Sequence, residues 1–130
     1  MKAGEFLKVH GLKLAKEVVE GAPNSATHYE LTVDGSAYFK YENFDWFCIE
    51  GGEQIRTYME NHETCHLIPL NDLNRLVESV DLVESWGGID DVKLYDLSHC
   101  KNRPESAGYK LLQAIADYES IYGGGESHAN

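Results

Sequence analysis

The stretch Leu70–Lys93, LNDLNRLVESVDLVESWGGIDDVK, limits the folds open to this chain more than any other segment. Within it Leu73, Leu76, Val77, Val80 and Val83 recur at the helical period and line one face. Leu82 and Trp86, four apart, add a second apolar stripe beside Val83. The spacing therefore predicts a helix over 71–86 whose clear solvent ridge is Asn74, Glu78, Asp81 and Ser85. A helix so enclosed suits the middle of a domain. Pro69 and Asn71 supply a start signal, Asp72 suits the positive end of the helix dipole, and Gly87–Gly88 can take the left-handed backbone that ends a helix. A short further helix is expected from about Ile89, carrying Val92 and Tyr95.

The segments on either side supply what such a helix packs with. Ala3, Phe6, Leu7 and His10, then Gly11, then Leu12, Ala15, Val18 and Val19 read as helix, glycine turn, helix, stopped by Gly21 and Pro23. From His28 the period changes to two, with Tyr29, Leu31 and Val33 alternating with His28, Glu30 and Thr32. Asp34–Gly35 closes a hairpin, Ser36–Tyr41 returns, Phe44–Glu50 follows, and Gly51–Gly52 turns the chain into Gln54–Met59. These features predict an α+β fold: an antiparallel three- to four-stranded meander packed against the central helix, with an N-terminal helix-turn-helix corner and a C-terminal helix. That last helix is expected over 106–122, with Leu111, Leu112, Ile115, Ala116, Tyr118 and Tyr122 inward and Lys110, Gln113, Asp117 and Ser120 outward. A length of 130 residues fits one domain, 1–122, with 123–130 as a flexible tail.

Composition narrows the function classes. A net charge of -11 opposes direct nucleic-acid binding and attachment to anionic membranes, and permits a basic protein as partner. Cys48, Cys65 and Cys100 are an odd set without a CxxC pair, which argues against a disulfide framework and for a reducing compartment. The N-terminal segment has no continuous apolar run, so no secretory signal or membrane span is expected there, and the expected location is the cytoplasm.

One stretch fits a catalytic pattern. His62-Glu63-Thr64-Cys65-His66 reads HExxH, in which two histidines on one helical face hold zinc and the glutamate activates its water. That chemistry needs a stable helix and a third ligand, yet Pro69 follows closely and a third ligand such as Asp72 or Glu78 has no preferred claim. The motif therefore reads first as a polar loop, with metal binding by His62 and His66, and a zinc-dependent hydrolase, as the alternative. No cofactor is expected otherwise. His99 beside Cys100 has no base-orienting neighbour, and no glycine pair has the strand-before-helix context of a phosphate loop. The aromatic group Tyr38, Phe39, Tyr41, Phe44, Trp46 and Phe47 lacks interleaved Lys and Arg, so it reads as sheet core with one exposed face. Glu78, Asp81, Glu84, Asp90 and Asp91, with Asn74, form an acidic candidate binding ridge around the central helix.

GLKLAKEVVEGAPNSATHYE, LNRLVESVDLVESWGGIDDVK and LQAIADYESIYGG together resemble small uncharacterised accessory proteins of lambda-like phages and prophages of enteric bacteria. The resemblance implies a cytoplasmic protein of an infected cell, one that binds a host or phage protein. Inhibition of a nucleic-acid enzyme or defence complex is one form of that activity. A structural or oligomeric accessory role is a further alternative.

Overall fold

In the computed structural model the described residues are 2–94, 103 and 105–123. The expected place of Tyr95 in a helix, most of the 98–105 loop with His99 and Cys100, and the tail beyond Gly123 lie outside them. The chain groups into two compact units that divide between Asn74 and Arg75.

The first unit opens with α1 (Ala3–His10) and α2 (Leu12–Glu20), joined at Gly11. The helical spacing noted in the sequence buries Ala3, Phe6 and Leu7 from α1 and Ala15 and Val18 from α2. Then come β1 (His28–Thr32), β2 (Gly35–Glu42), β3 (Asp45–Glu50) and β4 (Glu53–Thr57), a meander of successive antiparallel hairpins. After one helical turn, α3 (Asn61–Thr64), a two-residue strand β5 (Ile68–Pro69) returns to pair with β1. The sheet thus has five strands in the order β4-β3-β2-β1-β5, against the three or four expected. The fold class is α+β. The extra strand escapes a pattern search because two residues cannot display a period of two.

Cover for the Tyr29 face of the sheet comes from the α1–α2 corner. Phe6 meets the Tyr29 ring edge-on at 5.9 Å, and the Tyr38 hydroxyl donates to the Val18 carbonyl at 2.6 Å. The sequence-based alternation in β1 fails toward its end: Tyr29 is buried, but Leu31 and Val33 are exposed. They stand where the first hairpin turns away from that cover. The turn itself lies one residue earlier than expected, because Thr32 pairs with Gly35 and leaves Val33–Asp34 as the loop.

Helix α4 (Leu70–Ser85) follows β5 directly, and the Leu70 N–H donates to the Thr27 carbonyl at 2.9 Å. Leu73, Leu76, Val77, Val80 and Val83 are all buried, as their spacing predicts. The helix ends at Ser85, so Trp86 lies beyond it and is exposed, and the second stripe keeps only the half-buried Leu82. The second unit holds most of α4, α5 (Ile89–Val92) and α6 (Ala107–Tyr118), the last followed by a π-type turn at Glu119–Gly123. The Ser106 hydroxyl caps α6 by accepting from the Tyr109 N–H at 3.1 Å. Val83, Val92, Leu111 and Ala114 form the core here, with Leu82, Ile89, Ile115 and Tyr118 packed around it. The inward face of α6 is thus rotated from the expected one. Ala114 is buried, Ala116 is exposed, and Asp117 turns in toward α4.

Among the described residues no helix is long and apolar enough to cross a membrane.

Candidate functional site

At one end of the sheet, β2 and β3 are joined through Asn43 and Phe44, which have φ of 52° and 68°. This left-handed pair is the backbone of a tight hairpin turn that glycine or asparagine normally occupies, and a phenylalanine there costs about 1 kcal/mol. Phe44 gains nothing locally for that cost, because its side chain is 90% exposed. Beside it, Trp46 is held between two rings, with Tyr41 at 4.6 Å and His28 at 4.9 Å. Tyr58, just past β4, is 80% exposed.

These side chains surround an open hollow of about 560 Å³, lined by Tyr41, Phe44, Trp46, Tyr58, Met59 and Asn61 together with Asp45, Arg56 and Thr57. The Arg56 guanidinium donates to Asp45 at 2.9 Å across the β3–β4 pair. Charge at the rim is therefore balanced locally, and the aromatic surface is the unsatisfied part.

The wall behind Trp46 is fixed by a polar seam. Thr27 Oγ1 accepts from the Tyr41 N–H at 3.0 Å and shares a 2.7 Å hydrogen bond with His28 Nδ1. Burial lowers the His28 pKa from its usual 6.5, so the neutral ring is the form that packs against Trp46. On the same face Cys48 is half-buried. Burial, then the Glu50 carboxylate, pushes its thiol pKa up, which makes it a poor nucleophile. Of the aromatic group only Phe39 is buried, Tyr38, Trp46 and Phe47 are half-buried, and Tyr41 and Phe44 are exposed; Phe39 and Tyr41 share one face of β2, so the group does not part into a core face and an exposed face. Its importance as a site, however, rests on Phe44 and Tyr58, and Tyr58 lay outside the group singled out in the sequence.

The HExxH segment does not take the metalloprotease form. Only Asn61–Thr64 is helical, so His62 lies on a single turn while His66 lies past its end, both exposed. Glu63 is occupied in a capping box, accepting from the Glu60 N–H at 3.1 Å. His62 Nδ1 faces a Glu60 carboxylate oxygen at 3.4 Å. The helix stops because Leu67 and Ile68 are buried and the chain must extend to join β1. Among the described residues no group of three or more His, Cys, Asp or Glu is arranged to hold a metal ion.

Of the acidic candidate ridge, Asn74, Glu78 and Asp81 are exposed along one ridge of α4 with Ser85, as the helical spacing requires. Glu78 also borders an open groove of about 520 Å³ between α4 and α6, with Arg75, Ser79, Leu82, Lys110 and Asp117 among its other walls. Three of the polar groups in that groove meet each other. Asp117 accepts from the Ser79 hydroxyl at 2.7 Å and faces the Arg75 guanidinium at 3.6 Å. Glu84 and Asp90 act on Tyr118, whose pKa is raised first by burial and then by these two charges. Asp91 lies over Gly87, where an added Cβ would come within 2.5 Å of its carboxylate. α4 carries Asn74, Glu78 and Asp81 along one exposed strip, with Glu84 three residues beyond Asp81 at its side.

No protein-family model, no curated protein and no solved structure matches this chain.

Proposed function

We propose that this chain is a small acidic accessory protein of a phage or prophage that acts in the bacterial cytoplasm by binding a host or phage protein. The observation that carries this reading is the aromatic hollow at the end of the sheet, in which Phe44 is held outward on a left-handed backbone beside Tyr41, Trp46 and Tyr58. Backbone strain that does nothing for the fold is a mark of a functional position. Exposed Tyr, Trp and Phe beside an Arg are also the side chains that dominate protein interfaces. A net charge of -11 selects a partner with a basic surface, whose Arg or Lys side chains can lie on the aromatic faces. Inhibition of a nucleic-acid enzyme or defence complex follows if the basic surface it covers is the one that such a partner uses for nucleic acid.

A second contact is favoured by the exposed strip Asn74, Glu78 and Asp81, which offers carboxylates to the same kind of partner. Affinity capture from a host lysate tests the reading. The expected result is a specific basic protein that is lost when Phe44→Ala and Tyr58→Ala are combined, with circular dichroism unchanged. Capture that survives that pair and fails with Glu78→Lys and Asp81→Lys moves the contact to α4. Capture of nothing specific, or capture indifferent to both pairs, defeats the reading.

A further inference from the structure

The two edges of the sheet are unlike. One is β5, only two residues long, with Pro69 contributing no N–H and Ile68 buried. Short strands and proline are standard ways of closing an edge to further pairing. The other edge is β4, Glu-Gln-Ile-Arg-Thr over 53–57, which among the described residues has a strand neighbour on the β3 side alone. It contains no proline and no lysine, and its Ile55 is 51% exposed. Among the described residues no backbone hydrogen bond reaches it from outside the sheet.

Which of its backbone groups face outward follows from the β3–β4 turn. Gly51 and Gly52 both have positive φ, 55° and 85°, and form a two-residue loop closed by Glu50 and Glu53. Such a loop is closed by a pair that exchanges both hydrogen bonds, after which hydrogen-bonded and non-hydrogen-bonded pairs alternate. Ile55 therefore spends its N–H and C=O on Cys48, its partner in β3. Gln54 and Arg56 direct theirs away from the sheet.

We propose that β4 pairs antiparallel with β4 of a second copy of this chain about a two-fold axis at Ile55, giving a dimer with one continuous sheet. A two-fold axis normal to the sheet keeps each face on its own side, so the axis must pass through a residue position. Centring it on Glu53 or Arg56 sets like charges opposite each other, and centring it on Gln54 sets Ile55 against Glu53. At Thr57 the overlap loses most of the strand. Only the Ile55 register pairs the full length of β4. It sets Ile55 against Ile55, Gln54 against Arg56 and Glu53 against Thr57, with no like-charge pair.

That register also matches the backbone. Gln54 and Arg56 become hydrogen-bonded partners across the axis, using the outward groups left by β3. The two isoleucines become a non-hydrogen-bonded pair, the type in which opposing side chains approach closest. One acid and one base on β4 make this strip locally neutral in a chain of net charge -11, so association here avoids the repulsion expected elsewhere on the surface. The dimer does not depend on the aromatic hollow having a partner.

Sedimentation of the full chain tests the proposal, with the expected result a concentration-dependent dimer. Ile55→Lys, a change at an exposed position, is expected to weaken association at least about tenfold by setting two ammonium groups against each other, while circular dichroism of the monomer stays unchanged. Register is read in a background of Cys48→Ser, Cys65→Ser and Cys100→Ser: oxidised Ile55→Cys is expected to give a symmetric intermolecular disulfide, and Gln54→Cys none. A chain that stays monomeric up to about 100 µM overturns the proposal, since edge pairing of this length would be too weak to matter. A dimer indifferent to Ile55→Lys, or one that crosslinks through Gln54→Cys and not Ile55→Cys, overturns it equally.

Discussion

The sheet unit and the helical unit handle their side chains in opposite ways. In the helical unit several polar groups pair within the chain: Asp117 takes the Ser79 hydroxyl and faces Arg75, Lys93 pairs with Glu119, and Ser106 caps α6. At the end of the sheet the polar pair Arg56–Asp45 is also settled, but the aromatic surface beside it is not. Internal pairing holds a fold together without offering anything to a partner. Open aromatic surface next to a strained turn adds little to the fold, and it is this surface that the proposed contact uses.

The comparison is most strongly stressed by Phe6→Ala. Phe6 is fully buried against Tyr29, and its truncation is expected to lower stability by about 3–5 kcal/mol, measured by urea denaturation. A loss well below that would mean that the α1–α2 corner is not what fixes the sheet. In the helical unit, Asp117→Ala leaves the buried Ser79 hydroxyl without its partner, and a loss of about 1–3 kcal/mol is expected by the same assay. The Arg75 contact adds little to this because that guanidinium is well exposed. Phe44→Gly is expected to act in the other direction, raising stability by about 1 kcal/mol through relief of the left-handed backbone while reducing partner capture. Loss of stability there would remove the argument that the turn is strained for function.

The smallest expected effect is a dependence on pH. The His28 pKa lies below 6.5 in the folded chain, so folding favours the neutral ring. Its contribution is complete above pH 6.5 and is lost as pH falls through the lowered folded value. Urea midpoints between neutral and mildly acidic pH are expected to fall in the natural chain, and to fall less in His28→Gln. Equal slopes would show that the seam behind Trp46 does not sense protonation.

How much of this could be read in the sequence differs between the units for a physical reason. Helical spacing in 73–83 and 3–19 identified most of the buried residues of α1, α2 and α4, because a regular period over several turns has few competing explanations; it missed Leu70 and Ser79, and His10, expected inward, is exposed. β1 was legible only at Tyr29, since alternation does not say how far along a strand the cover extends. β5 left no pattern, and the inward turn of Asp117 depends on a serine thirty-eight positions away. The candidate site was half legible. Tyr41, Phe44 and Trp46 belonged to a conspicuous aromatic run, but the left-handed φ of Phe44 and its nearness to Tyr58 come from the hairpin geometry. The HExxH letters lost their meaning once Glu63 was taken up as a helix cap and the chain turned to form β5.

Pro69 has a consequence that reaches beyond its own two-residue strand. A flat sheet that can accept a strand at both sides is a growing crystal in one dimension, and every addition prepares the next. With Pro69 blunting one side and only Glu30–Thr32 of β1 uncovered beyond it, an addition at β4 consumes the longest open edge among the described residues. A chain whose β4 edge pairs once in the proposed way then avoids becoming the seed of a fibril.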